Sequence, residues 1–126
     1  MTIADAIEAH EYLIDAFGGR SGVLSRHLLE SALGRPYHGY HRAIHRKGAA
    51  LVESLVGNHP FVDGNKRTAA QLLLLLLDRS GFDLQPATPG DDVARGLEDL
   101  VVRVAGNESG FQDLADWLKL RCRKVR

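Results

Sequence analysis

The chain has 126 residues, 44% hydrophobic and 25% charged, which suits one globular core spanning 1–126 and leaves too little length for a second domain. Sixteen basic residues balance sixteen acidic ones, so the overall charge steers the protein toward neither nucleic acid nor an anionic membrane, and any such partner would need a local patch. The lone Cys122 excludes an internal disulfide, the start Met1-Thr2-Ile3-Ala4-Asp5-Ala6 lacks the order of a signal peptide, and the apolar run Leu72 to Leu77 is far short of the roughly 20 residues that span a bilayer, so a cytoplasmic protein is expected.

Ile3, Ile7, Leu13, Ile14 and Phe17 fall on one stripe of a helical period, Thr2 with Asp5 resembles a capping pair, and Gly18-Gly19 ends this first helix. Ser25 is placed to cap a second helix carrying Leu28, Leu29, Ala32 and Leu33, which Gly34 and Pro36 stop. From Pro36 to His45 no period emerges, and a loop or short hairpin is expected. A third helix covers Ala49 to Val56, closed by Gly57; His59, before a proline, then sits on a turn.

The chain resumes as a helix near Asn65 and runs to Arg79, ending at Ser80-Gly81. Its leucine run puts apolar side chains all round, which places it in the middle of a bundle. Phe82 to Leu84 read as extended. Val93, Leu97, Leu100, Val101 and Val104 mark a further amphipathic helix ending at Gly106-Asn107, and Ser109 with Gln112 suggests a capping box for a last one with Phe111, Leu114 and Leu118 inward. The expected fold is all-α: a compact single-domain bundle of about six helices around the leucine-rich one.

Chemistry concentrates in His59, Asp63, Gly64, Asn65, Lys66, Arg67 and Thr68. A turn entering a helix offers unpaired amides and the positive end of the dipole, a natural anion site. Lys66 adds a point charge and Arg67 a planar fork suited to phosphate oxygens. Asp63 is the kind of oxygen ligand magnesium takes beside a nucleotide's phosphates, and His59 can accept a proton from a hydroxyl nucleophile. These are the parts of phosphoryl or nucleotidyl transfer. The same residues also make an ordinary capped turn with a solvated first helical turn and a loop histidine, and residue types alone leave both readings open. No G-x-x-x-x-G-K-[ST] spacing occurs, so this is not a Walker A loop.

The string HPFVDGNKRTA from His59 to Ala69 resembles the signature H-P-F-x-[DE]-G-N-G-R-x-x-R of the Fic/Doc superfamily. Gly18-Gly19-Arg20, Leu28 to Leu33 with Arg35-Pro36, and Leu114-Ala115-Asp116-Trp117-Leu118 also resemble its Doc (death-on-curing) branch. Two departures from the adenylyl-transferring pattern stand out: Lys66 replaces a glycine and Ala70 replaces the second arginine, which puts AMP transfer in doubt, while Gly64 is a small step back toward Fic.

The resemblance implies a Mg-ATP-dependent phosphotransferase that blocks translation by modifying a hydroxyl residue of elongation factor Tu. It makes His59 the general base, Asp63 the magnesium-associated carboxylate, and Gly64, Asn65, Lys66 and Arg67 the phosphate-binding set, with Phe61 anchoring the loop. The alternatives are a Fic-type adenylyltransferase and a catalytically silent nucleotide or partner binder. No glutamate is followed by Gly or Asn, so the self-inhibitory [ST]-x-x-x-E-[GN] helix of some Fic proteins is absent, and the resemblance implies restraint by a separate Phd-like antitoxin.

Three further features carry bland readings. His38, His41 and His45 have helical spacing but no carboxylate or cysteine at ligand distance, so a loop beside the site, with contacts from Tyr37 and Tyr40, is favoured over a metal centre. The run Lys119, Arg121, Arg123, Lys124 and Arg126 fits the cation preference of a helix C-terminus, and no direct nucleic-acid binding is expected. The leucines lack heptad spacing and belong to the core.

Overall fold

In the computed structural model, which describes residues 1–38 and 41–125, the chain runs α1 (Ile3–Phe17), α2 (Arg26–Gly34), a 3-10 turn (Arg35–Tyr37), α3 (Ile44–Asn58), α4 (Asn65–Arg79), β1 (Phe82–Leu84), α5 (Val93–Ala105), α6 (Phe111–Arg121) and β2 (Cys122–Lys124). The readings made on Tyr40 and Arg126 lie outside the described residues. Local chemistry sets most helix starts. The Thr2 hydroxyl accepts from the Asp5 N–H while the Asp5 carboxylate accepts from the Thr2 N–H, and Ser25 and Asp92 cap α2 and α5 through Leu28 and Arg95. Each such cap stabilises by about 1 kcal/mol.

Where the expected boundaries fail, tertiary structure is the reason. Helix α3 starts at Ile44 rather than Ala49 and absorbs His45, so the expected loop is shorter. It also passes through Gly57 and is terminated by His59, the residue that takes the left-handed conformation. The start of α6 is one residue later than Ser109 and carries only half of a capping box: Gly110 is the N-cap, its N–H donates to the Asp113 carboxylate at 3.0 Å, and Gln112 instead reaches Asp116. Strand β2 was not anticipated; it pairs antiparallel with β1, Leu84 opposite Cys122. Burial pushes the Cys122 thiol up to about 11.

Helix α3 packs against α2, α4, α5 and α6, so α3 and α4 share the centre. Leu51, Val52, Leu55, Leu72, Leu73, Leu77, Leu114 and Leu118 build one continuous core around them. The leucine helix has a solvent face after all, because Leu74 lies exposed in line with Gln71 and Lys66–Arg67. A bidentate ion pair from Arg79 to Asp5 ties the end of α4 to the start of α1, with nitrogen–oxygen distances of 2.8 and 3.2 Å. Arg121 is similarly committed: it donates to Asp91 and to the Trp117 carbonyl, and its guanidinium lies over the Trp117 ring. Among the described residues no helix is long and apolar enough to cross a membrane.

Two glycines of α3 make opposite predictions. A Cβ on Gly48 would stand 2.7 Å from Leu73 Cδ1 and 3.1 Å from Leu118 Cδ1, whereas one on Gly57 would meet nothing within 4 Å. Gly48→Val should therefore cost about 1–3 kcal/mol in urea denaturation through overpacking. Gly57→Ala should gain about 0.5–1 kcal/mol, since alanine restricts the unfolded chain and suits a helix interior. A loss at Gly57 would show that α3 ends there.

Candidate active site

The site begins where α3 stops. His59 has φ 51° and ψ 54°, a left-handed conformation that a residue other than glycine adopts only at a cost of about 1–3 kcal/mol. The surroundings hold it there. Its N–H donates to the Leu55 carbonyl at 3.2 Å, and the buried Pro60 that follows accepts from the N–H groups of Leu24 at 2.7 Å and Ser25 at 3.1 Å. The imidazole is left exposed.

Phe61 drives the loop into the core, with 1% of its surface exposed. Its N–H donates to Asn65 Oδ1 and its carbonyl accepts from Asn65 Nδ2, both at 3.0 Å, so the two residues close a ring of paired hydrogen bonds. The segment before α2 straps the loop from outside through a Val23–Phe61 bridge and a Val62 N–H donated to the Gly22 carbonyl.

From the other side comes His10 of α1, which is 1% exposed. Its ring stacks on Phe61 with centroids 4.1 Å apart and planes 7° from parallel, and Nε2 lies 2.7 Å from the Asp63 carbonyl oxygen. A carbonyl only accepts, so Nε2 carries the proton in this contact.

Asp63 is held by backbone amides. One carboxylate oxygen accepts from the Arg20 N–H at 3.1 Å and the other from the Gly64 N–H at 2.9 Å. These bonds, the Arg20 one foremost, hold its carboxyl below the usual range, with the Arg20 charge assisting. The approach requires glycine at position 19: φ is +115°, and a Cβ there would stand 2.9 Å from Asp63 Oδ2. Gly64, at φ 71°, turns the chain into α4 without a side-chain cap.

Helix α4 therefore opens with nothing in front of it. The first bond back to its cap is donated by Thr68 to the Gly64 carbonyl at 3.0 Å, which leaves the N–H groups of Asn65, Lys66 and Arg67 without a partner among the described residues. No acidic residue sits in this first turn, and among the described residues neither Lys66 nor Arg67 has a carboxylate partner. Open amides, the positive dipole end and two cations are features that favour an anion, and they lie beside an exposed imidazole.

The structure thus brings His59, Asp63, Gly64, Asn65, Lys66 and Arg67 together in one turn and helix start, and it divides their labour unevenly. The Asn65 side chain is committed to Phe61, so only its backbone N–H could serve an anion at the start of α4. Thr68 is fully buried, its Oγ1 without a partner. Sequence reasoning missed His10, Gly19 and Phe17. A histidine interrupting the apolar stripe of α1 was the available signal for the first; Phe17, read as part of that stripe, is instead exposed beneath Arg67.

Of the histidines singled out by their spacing, His38 follows the 3-10 turn, its N–H donating to the Arg35 carbonyl at 3.3 Å. His41 is half-buried against the Phe111 ring, its Nδ1 without a partner among the described residues, and His45 lies on α3; burial pushes both down from the usual imidazole range. Among the described residues no group of three or more His, Cys, Asp or Glu side chains could hold a metal ion by itself. A magnesium ion at Asp63 would therefore share one carboxylate with phosphate oxygens, which is how that ion is often held.

The molecule is thus a helical bundle in which a left-handed histidine turn leads into a cationic helix start. The Fic/DOC family profile matches residues 1–77, which contain every residue of this site. The chain is also 38% identical over 106 residues to the Toxin Doc of Mycolicibacterium smegmatis, covering 79% of this chain and 78% of that one. The protein belongs to the Fic/DOC family.

Two measurements test this construction. Asn65→Leu should cost about 1–3 kcal/mol for each Phe61 group it leaves buried and unpaired, read by urea denaturation. For Asp63, a carboxyl with a lowered folded pKa stabilises the loop above its unfolded value of about 4 and loses that contribution as pH falls through the folded value. The amide shifts of Arg20 and Gly64 should therefore titrate together in acid, below about pH 4, and the inflection should vanish in Asp63→Asn.

Proposed function

We propose that the protein is the toxin of a toxin–antitoxin pair and acts as a Mg-ATP-dependent phosphotransferase on a hydroxyl residue of elongation factor Tu, blocking translation. The observation that carries the reading is the juxtaposition of the exposed His59 with the open start of α4. Membership of the Fic/DOC family, whose members are typically transferases, and the similarity to Toxin Doc support it.

In this mechanism the target hydroxyl gives its proton to His59 as its oxygen bonds to the terminal phosphorus of ATP. The bond from that phosphorus to the bridging oxygen breaks, and ADP leaves with the electron pair. The amides of Asn65, Lys66 and Arg67, with the two side-chain cations, hold the phosphoryl oxygens as charge redistributes. Asp63, kept ionised by its amide donors, is the residue that would associate with magnesium, which supplies charge neutralisation between phosphates. Lys66 stands where AMP-transferring relatives of the Fic pattern have glycine, so its side chain fills space in the cradle and favours a terminal phosphate there. Restraint comes from a Phd-like antitoxin whose C-terminal segment folds onto the protein.

Incubation with elongation factor Tu and Mg-ATP, followed by intact-mass measurement of the target, checks the assignment. One phosphate should be added, and His59→Ala should lower the rate by at least about a hundredfold, the scale of a lost general base. Addition of AMP would replace phosphoryl by nucleotidyl transfer, and an unmodified target would sink the assignment of elongation factor Tu.

A further inference from the structure

Phe17 has no core to fill. It ends α1 with 62% of its surface exposed, immediately before Gly18 turns the chain away at φ 85°. Exposed phenylalanines are ordinary when solitary, but this ring lies under Arg67, with the guanidinium carbon 4.6 Å from its centroid. Arg67 in turn has no carboxylate partner among the described residues. The contact is possible because the segment following Phe17 is drawn against the motif loop: Arg20 N–H donates to Asp63, one residue before the cap of α4.

We propose that Phe17 is a positioning residue that presents the Arg67 guanidinium to the anion at the start of α4. The geometry suits that task chemically. Stacking on a ring uses the flat face of a guanidinium and leaves its N–H fork free in the plane, the edge that grips phosphate oxygens. A side chain ordered in this way has already lost the rotamer freedom that a free arginine would lose on binding. A carboxylate in the same role would neutralise the cation; the aromatic face holds it and preserves its charge. The inference rests on reading the start of α4 as a phosphate site.

The test uses the full chain with pyrophosphate as probe, titrated by calorimetry, so that it does not depend on turnover. Phe17→Leu keeps apolar bulk without a π face and should weaken binding about two- to fivefold, the range of an exposed cation–π contact. Phe17→Tyr should restore it. In an Arg67→Ala background Phe17→Leu should have no further effect, because its influence runs through the guanidinium. Wild-type affinity in Phe17→Leu, or a penalty that persists without Arg67, overturns the proposal. So does a lowered thermal midpoint with unchanged affinity, which marks a merely structural ring. Pyrophosphate binding that depends on Phe17 in a protein that transfers nothing to elongation factor Tu would sink the assignment of that target alone. Absence of pyrophosphate binding by the wild type would overturn both.

Discussion

The Asn65 side chain reads both faces of the Phe61 peptide, its oxygen taking the N–H and its amide giving to the carbonyl. This pairing converts a five-residue span into a closed loop and joins the turn after α3 to the start of α4. Neither partner can relax independently, since both are buried and an unpaired peptide group there costs about 1–3 kcal/mol. With the clasp closed, the chain has only one way to leave His59 and enter α4. The strained histidine, the carboxylate and the open amides are consequences of where those two ends must be.

Around the clasp, unrelated parts of the chain converge. His10 stacks on Phe61 from α1 and donates to the Asp63 carbonyl, while residues 20–25 bind the loop's outer edge. These contacts span long stretches of sequence, so the loop is shaped by the assembled bundle. The core that permits this lies mainly between α3 and α4, where Gly48 allows close approach of Leu73. The bundle supplies rigidity, and the strain at His59 falls at an exposed position that rigidity can support.

Much of the architecture was legible because caps are local. Thr2 with Asp5, Ser25, and the Gly64–Asn65 entry announced helix starts within a few residues of chain. Helix α3 was misjudged at both ends for the opposite reason. Its start has no side-chain cap, and its end is a histidine forced into a glycine-like conformation by the packing of Pro60 and Phe61. The motif string located the candidate site but could not apportion roles: nothing in the letters says that the Asn65 side chain turns inward while its amide faces out. His10 left a trace as a histidine in the apolar stripe of α1, but the roles of Gly19 and Phe17 lay beyond reach, since only the fold brings α1 and its trailing turn against residues 61–67.

The small two-stranded ribbon that closes the chain has a practical chemical corollary. With burial pushing its thiol up to about 11, Cys122 is held as the protonated thiol at neutral pH. Electrophiles and disulfide exchange both require the thiolate, so this sulfur is close to inert while the ribbon is paired. A second cysteine introduced on an exposed loop would outcompete it for a maleimide by orders of magnitude. The native protein can thus carry a spectroscopic label at a chosen position with its own cysteine left in place, and rapid modification of Cys122 would report that the ribbon had come apart.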